Sequence, residues 1–309
     1  MEHIYDVIII GGGPGGYSAA LYATRGGFDT LVLEKISPGG QMAQTSQIDN
    51  YPGFDQGIDG FELGQKMQAG AKRFGAKTEL IEVKSVDLSG YVKKVKTGKG
   101  TFLGKTVIIA TGADHKHLGI PDEEKYIGRG LAYCAACDGM FYRGKTVAVV
   151  GGGNSAVADA LLLSRIAKKV ILIHRRDTLR ATKIYFKQLE QTENIEFRWN
   201  ATVTGLKGDG MLSGLELKDT VTGELSQLDV EGVFVSIGRS PATELFKEQI
   251  ELDNSGYVVA DESTRTNIPG VFAVGDVRTK ALRQVVTAAA DGAVASHFIE
   301  EYLAENATK

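Results

Sequence analysis

Two glycine-rich turns, each placed directly after a short run of apolar β-branched residues, constrain the fold of this chain more than any other feature. The first turn, GGGPGG, spans residues 11–16 and follows the apolar run 7–10. The second turn, GGGNSA, spans residues 151–156 and follows the apolar run 146–150. Each turn leads into a segment of helical character, which predicts a strand, a glycine turn and a helix. This unit is typical of dinucleotide-binding domains, and its repetition predicts two such sites.

The glycines of the first turn have separate physical tasks. Gly11 allows a sharp turn, Gly13 lets the backbone approach a pyrophosphate, and Gly16 lets the helix pack close to the strand. The free N–H groups at the start of the helix then face the phosphates. A second apolar run, 30–33, leads to Glu34, whose carboxylate can accept hydrogen bonds from ribose hydroxyls.

The second unit differs from the first at the position equivalent to Glu34. At the same distance from Gly151 the chain has His174, and the surrounding segment HRRDTLR supplies three arginines: Arg175, Arg176 and Arg180. A carboxylate would repel a 2′-phosphate, whereas guanidinium groups bind phosphate oxygens in a planar fork. The segment therefore predicts a preference for NADPH over NADH, with a solvated charged turn as the alternative interpretation.

The order of the apolar segments predicts how the domains are arranged. The run 271–276, VFAVGD, near the end of the chain is similar in character to the run 107–112, VIIATG, before the second unit. We therefore expect an α/β fold with two Rossmann-like dinucleotide-binding domains, the second inserted into a discontinuous first. The expected boundaries are 1–115 with 244–309 for the first domain and 116–243 for the second.

Both cysteines of the chain lie in one motif, CAACDG, at the front of the second unit. Cys134 and Cys137 can close a small disulfide ring, and a helix start or a nearby positive charge favours thiol–disulfide exchange. The adjacent Asp138 can supply a proton to a leaving thiolate. Two alternatives are a buried, chemically inert pair of small residues and a zinc site that combines these cysteines with His115 and His117.

The charge balance argues against a polyanionic partner. The chain carries 35 basic and 38 acidic residues, so no long-range field attracts nucleic acid or an anionic membrane. Glu2 and Asp6 stand where a secretory signal would carry basic residues, and the longest uncharged stretch is interrupted by five glycines and a proline. We therefore expect a cytoplasmic protein without a membrane span and without a nucleic-acid partner.

The motifs GGGPGG, GGQM, CAACDG, GGGNSA, HRRDTLR and VFAVGDV occur in this order, and together they resemble the bacterial-type low-molecular-weight thioredoxin reductases over essentially the whole chain. The resemblance implies FAD in the first site, NADPH in the second and a homodimer that reduces thioredoxin. It also implies that Cys134 meets thioredoxin, Cys137 faces the flavin and Asp138 is the acid–base. The chain departs from the family at Ala136, where threonine is usual, and at Asp122 and Ala242, where glycine and asparagine are usual.

The candidate cofactor contacts fall into two sets, and no metal ligand is expected. The FAD set is Gly11, Gly13, Pro14, Gly15, Gly16, Glu34, Gly39, Gly40, Gln41, Asn50, Val83, Ala110, Gly112, Gly275, Asp276, Arg283, Gln284 and Val285. The NADPH set is Gly151, Gly153, Asn154, Ser155, His174, Arg175, Arg176 and Arg180.

The predicted activity is the transfer of electrons from NADPH, through flavin and the Cys134–Cys137 disulfide, to oxidised thioredoxin. A related enzyme that takes electrons from ferredoxin would not need the second glycine turn and its arginines, so the sequence disfavours it. A redox-sensing or zinc-binding module that holds nucleotides without turnover is the non-enzymatic alternative.

Overall fold

The structure is a computed structural model and describes residues 3–45, 47–181, 188–189 and 191–307. The chain forms two compact units. The outer unit comprises Met1–Asp114 and Ser240–Lys309, and the inserted unit comprises His115–Arg239. The predicted fold class, an α/β chain in which one Rossmann-like unit is inserted into another, is confirmed.

Strands of the described residues are, in chain order, β1 (Ile4–Ile10), β2 (Thr30–Glu34), β3 (Lys77–Leu80), β4 (Val83–Asp87), β5 (Lys93–Thr97), β6 (Gly100–Ile109), β7 (Ala113–His115), β8 (Leu131–Ala132), β9 (Thr146–Val150), β10 (Lys169–Ile173), β11 (Ile195–Arg198), β12 (Ala201–Lys207), β13 (Gly214–Asp219), β14 (Leu225–Asp229), β15 (Gly232–Val235), β16 (Arg239–Pro241) and β17 (Val271–Ala273). The helices are α1 (Pro14–Arg25), α2 (Gly60–Arg73), α3 (Glu123–Tyr126), α4 (Ala135–Asp138), α5 (Asn154–Ser164) and α6 (Val285–Glu305). Within the described residues, no helix has the combined length and apolar character that crossing a bilayer requires.

The outer unit is built on a sheet in which β1 is central. The strand order is β3-β2-β1-β6-β5-β4, with β17 also paired to β6. Strands β1, β2, β3, β6 and β17 run parallel, whereas β4 and β5 are antiparallel additions beside β6. Side chains of β1 alternate between two apolar clusters: Ile8 and Ile10 pack on one face, and Val7 and Ile9 on the other. Burial on both faces explains the unbroken apolar run in the sequence.

Small residues let α1 pack directly against α6. A Cβ atom at Gly292 of α6 would lie 2.3 Å from the carbonyl oxygen of Gly15 in α1, so the two backbones are almost in contact. The hydroxyl of Ser296 donates to the carbonyl oxygen of Ala19, and that of Ser18 donates to Ala289. This packing fixes the start of α1 against the sheet and α6.

The inserted unit has a parallel sheet of order β11-β10-β9-β15-β8. Its central strand, β9, leads into the second glycine turn. Helix α5 packs on one face of this sheet, and the antiparallel sheet β12-β13-β14 packs on the other. The two chain crossings between the units, β7 and β16, pair with each other as a two-stranded sheet.

A buried ion-pair network joins α6 to the segment that follows β17. The carboxylate of Asp291 accepts hydrogen bonds from Arg278 (2.8 and 3.0 Å), from Lys280 (2.7 Å) and from the backbone N–H of Gly275 (2.8 Å). Burial by itself raises the pKa of Asp291, but the hydrogen bonds from the two cations outweigh it and the pKa is lowered. The network holds the segment after β17 in a single arrangement.

We expect Asp291→Ala to lower the free energy of unfolding by about 3 to 5 kcal/mol, because it leaves two buried cations without their shared anion. The matched control is Glu301→Ala on the same helix, which removes an exposed ion pair with Arg265 and is expected to cost less than about 1 kcal/mol. Urea denaturation followed by circular dichroism measures both. Equal losses for the two variants would contradict the importance of the buried network.

Candidate nucleotide and disulfide sites

The first glycine turn joins β1 to α1 with very close backbone contacts. Gly11 has φ of 109°, and a Cβ atom there would lie 2.3 Å from the carbonyl oxygen of Ala110. A Cβ atom at Gly16 would lie 2.0 Å from the carbonyl oxygen of Gly11. By contrast, apart from the chain neighbours of Gly13, no described residue has a heavy atom within 4 Å of the Cβ position of Gly13. The turn therefore leaves open space beside the N-terminus of α1, which fits the approach of a pyrophosphate.

Glu34, the last residue of β2, lies directly beside this turn. Its carboxylate is almost fully buried and accepts hydrogen bonds from the backbone N–H groups of Gly12 (2.6 Å) and Ile36 (2.9 Å). These two bonds fix the orientation of the carboxylate and leave lone pairs for hydroxyl donors. The position and chemistry of Glu34 thus fit contact with a ribose.

The 3-10 turn Gly40–Gln44 brings further predicted residues to the same place. The N–H of Gly39 donates to the carbonyl oxygen of Gly12 (2.8 Å), and a Cβ atom at Gly40 would lie 3.4 Å from the Cα of Gly13. The side chain of Gln41 donates to Asp114. Gly39 and Gly40 therefore border the open space over Gly13.

Several other predicted residues of the outer unit lie around the ends of β6 and β17. These parallel neighbours place Ala110 and Gly112 after one strand and Gly275 and Asp276 close after the other. Arg283 donates to the backbone oxygen of Asp276 (3.4 Å). Gln284 caps α6, which begins at Val285, and it accepts a hydrogen bond from Asn50 (3.0 Å). Val83 contributes its side chain to the apolar core at the start of β4.

The second glycine turn repeats the geometry of the first. Gly151 has φ of 157°, and a Cβ atom there would lie 2.4 Å from the carbonyl oxygen of Ser236. Apart from the chain neighbours of Gly153, no residue in the described ranges has a heavy atom within 4 Å of the Cβ position of Gly153. Helix α5 begins at Asn154, followed by Ser155, which places the N-terminus of the helix beside Gly153.

The arginine-rich segment after β10 is attached to this turn. The backbone N–H of Arg180 donates to the carbonyl oxygen of Gly152 (2.7 Å), and Arg175, Arg176 and Arg180 are exposed. His174 is instead 5% exposed, and its ring fills the space where a Cβ atom of Gly152 would be. Burial first, and then the three arginines, lower the pKa of His174. The exposed cations of this segment are therefore its arginines.

The two cysteines form a disulfide at the start of α4. Cys134 and Cys137 are joined through their sulfur atoms, and the Sγ of Cys134 accepts a hydrogen bond from the backbone N–H of Cys137 (3.2 Å). Burial raises the pKa of the adjacent Asp138 to about 6. A carboxylic acid with this pKa can hold and release a proton near neutral pH.

The histidines of the zinc alternative have other partners. The Nδ1 of His117 is hydrogen-bonded to the hydroxyl of Tyr133 (2.8 Å), which also donates to Glu123 (2.7 Å). The ring of His115 stacks on Tyr133, with centroids 5.0 Å apart. In the part of the chain that the structure describes, no group of three or more His, Cys, Asp or Glu side chains is arranged to hold a metal ion.

One polar pair beside the second turn was not predicted. The hydroxyl of Ser236, the residue after β15, donates to the carboxylate of Asp159 in α5. Burial raises the pKa of Asp159, opposed by this hydrogen bond. Asp159 lies about one and a half turns into a helix, where a carboxylate has no distinctive sequence signal. Ser236 does have one, since it is the polar residue directly after an apolar run.

Comparison with known proteins extends this picture. The family model of pyridine nucleotide-disulphide oxidoreductases matches residues 5–292. The chain belongs to this family. The predicted resemblance is confirmed, and with it the predicted class of enzyme, an oxidoreductase of the pyridine nucleotide-disulphide type.

Relatives of this family match the chain from end to end. The thioredoxin reductase of Listeria monocytogenes serovar 1/2a is 47% identical over 305 residues, which cover 98% of this chain and 95% of the relative. The thioredoxin reductase of Bacillus subtilis (strain 168) is 44% identical over 98% of this chain and 96% of its own length. The crystal structure of thioredoxin reductase from Streptococcus pyogenes MGAS5005 is 42% identical, with a TM-score of 0.92 over 99% of this chain and 100% of that chain.

A substitution at Gly13 tests whether a ligand approaches the backbone of the first glycine turn. We expect Gly13→Ala to leave the free energy of unfolding of the apoprotein unchanged, because the added methyl group contacts no described residue beyond its chain neighbours, but to weaken FAD retention about tenfold or more. Gly16→Ala is the matched control and is expected to destabilise the apoprotein itself. Equilibrium dialysis of FAD and thermal unfolding of the apoprotein distinguish the two. Normal FAD retention by Gly13→Ala would show that no ligand approaches this backbone.

Proposed function

We propose that this chain is an NADPH-dependent thioredoxin-disulfide reductase. The observation that carries the proposal is the Cys134–Cys137 disulfide, which lies in the same compact unit as a glycine turn flanked by exposed arginines. FAD and NADPH are the cofactors, and thioredoxin or a thioredoxin-like protein is the disulfide substrate. Support comes from family membership and from relatives named thioredoxin reductase that match 98% of the chain.

The two glycine turns divide the cofactors between the units. In the outer unit, Gly13 and Glu34 would hold the pyrophosphate and a ribose of FAD. In the inserted unit, Gly153 would hold the pyrophosphate of NADPH, and Arg175 and Arg176 would hold its 2′-phosphate. When bound, the cofactors supply a hydride donor and a two-electron relay to the disulfide.

The chain's own residues then carry out thiol chemistry. Two electrons break the bond between the sulfurs of Cys134 and Cys137, and Asp138 donates the proton that leaves one sulfur as a thiol and the other as a thiolate. The Cys134 thiolate attacks the disulfide of thioredoxin and forms a mixed disulfide. Attack by Cys137 on Cys134 releases reduced thioredoxin and restores the original disulfide.

We also propose that the protein is a cytoplasmic homodimer. The family resemblance supports the homodimer, and the nearly balanced charge of 35 basic and 38 acidic residues is in keeping with a protein that has no nucleic-acid partner. Light scattering of the purified holoenzyme measures the oligomeric state directly.

Anaerobic titration of the holoenzyme tests the proposed function. With NADPH we expect bleaching of the flavin absorbance and two new thiols per chain, and with NADH slower bleaching. In Cys137→Ser the disulfide cannot form, so bleaching is expected to persist without any new thiols. A protein that binds no flavin, or whose disulfide survives NADPH, would contradict the proposal, and a colourless protein with stoichiometric zinc would support the non-enzymatic module.

The raised pKa of Asp138 predicts a pH dependence. Because the carboxyl group is protonated below about pH 6, the rate of disulfide reduction should fall as the pH rises through about 6. Asp138→Asn should be slower by a factor of about 100 or more and independent of pH, since the amide cannot donate the proton. Stopped-flow thiol trapping from pH 5 to pH 8 measures the rate, with the rate of flavin bleaching by NADPH as the internal control. A wild-type rate that rises through this range would contradict the role of Asp138 as proton donor.

A further inference from the structure

The single tryptophan of the chain lies beside the arginine-rich segment of the proposed NADPH site. β10 and β11 are parallel neighbours, and His174 and Trp199 are the residues that directly follow them. The backbone N–H of His174 donates to the carbonyl oxygen of Arg198 (2.9 Å), so the two strand ends are held side by side. Trp199 therefore lies at the same carboxyl edge of the sheet as the glycine turn after β9, where dinucleotides bind.

The indole of Trp199 belongs to a small aromatic group. It stacks on Phe197 with ring centroids 4.8 Å apart and an interplanar angle of 7°. It meets the ring of His174 edge to face, with centroids 6.5 Å apart and an angle of 76°. Trp199 is half-buried, so part of the indole remains exposed at the edge of the sheet. An ordered, partly exposed aromatic ring is suited to stacking on a nucleobase.

Backbone hydrogen bonds fix this indole relative to the arginines. The N–H of Asn200, the next residue, donates to the carbonyl oxygen of Arg176 (3.3 Å). The hydroxyl of Thr220 donates to the carbonyl oxygen of Arg175 (3.1 Å), and the N–H of Thr220 donates to Asn200 (2.7 Å). These hydrogen bonds thus join residues 199–200, which carry the indole, to residues 175–176, which carry the two guanidinium groups.

His174 connects the indole to the glycine turn. Its ring lies against Gly152 on one side and Trp199 on another, and its buried Nε2 has no hydrogen-bond partner among the described residues. An imidazole in these surroundings is uncharged, and it fills the space between Gly152 and Trp199. The exposed arginines are therefore the groups that can bind an anion.

We propose that Trp199 binds the adenine of the 2′-phosphorylated dinucleotide by stacking, while Arg175 and Arg176 hold the 2′-phosphate. Adenine and 2′-phosphate are attached to adjacent carbons of one ribose. A site that holds the phosphate on residues 175–176 therefore brings the base to the neighbouring indole. This assignment rests on the proposed NADPH site and adds to it the residue that recognises the base.

The test uses the fluorescence of the flavin-loaded enzyme, since Trp199 is the chain's single tryptophan. Titration with 2′,5′-ADP should quench this fluorescence, with the same dissociation constant that calorimetry gives. Trp199→Leu should weaken binding of 2′,5′-ADP about tenfold, in keeping with base–aromatic stacking, and Trp199→Phe should stay within about threefold of wild type.

The matched control, Arg175→Ala with Arg176→Ala, keeps the indole and removes the phosphate contacts. It should weaken 2′,5′-ADP roughly 30-fold but leave 5′-AMP, which has no 2′-phosphate, almost unaffected. If this control behaves as expected while Trp199→Leu binds 2′,5′-ADP as tightly as wild type, the adenine assignment is overturned and the NADPH site stands. If wild type binds no 2′,5′-ADP, the NADPH site fails as well. Should Trp199→Leu not fold, calorimetric binding to wild type without any quenching overturns the assignment.

Discussion

Close approach between backbone atoms at the two glycine turns is the constraint on which the remaining structure depends. A side chain at Gly16 or Gly151 would collide with a carbonyl oxygen at 2.0 or 2.4 Å. Only glycine lets strand, turn and helix pack this closely, and this packing places the N-termini of α1 and α5 beside Gly13 and Gly153. In the proposed function, phosphate affinity would arise mainly from this backbone geometry, and the charged side chains would select between nucleotides.

Much of the fold was predictable because its central elements are determined locally. The apolar runs before each glycine turn became β1 and β9, and the acidic residue expected after the next strand, Glu34, lies beside the first turn. The helix predicted to follow the second turn begins within the GGGNSA motif itself, at Asn154, because Gly153 already has the extended backbone of an N-cap. Errors at the ends of elements reflect capping geometry that hydrophobic periodicity does not contain.

The features that could not be predicted depend on packing between distant segments. Spacing identified His174 as the counterpart of Glu34, but its burial against Gly152 results from the way β10 and β11 are positioned. The ion-pair network of Asp291 has no motif, since its cations come from a loop after β17 and its anion from the second turn of α6. The proximity of Trp199 to the arginines likewise requires the pairing of neighbouring strands.

The two crossing strands, β7 and β16, have a consequence for how one domain can be inserted into another during evolution. Within the inserted unit, the N–H of Lys116 donates to the carbonyl oxygen of Gly238 (3.1 Å), which joins the two ends of the unit one residue in from each boundary. Within the outer unit, the N–H of Ala242 donates to the carbonyl oxygen of Gly112 (3.0 Å). This bond joins the two chain segments of the outer unit at the point where the second unit is inserted. Each unit is thus closed at the junction by its own hydrogen bonds. A gene segment that encodes a domain with adjacent chain ends can be gained, lost or exchanged as a unit, because the protein that receives or loses it keeps its own chain ends close together.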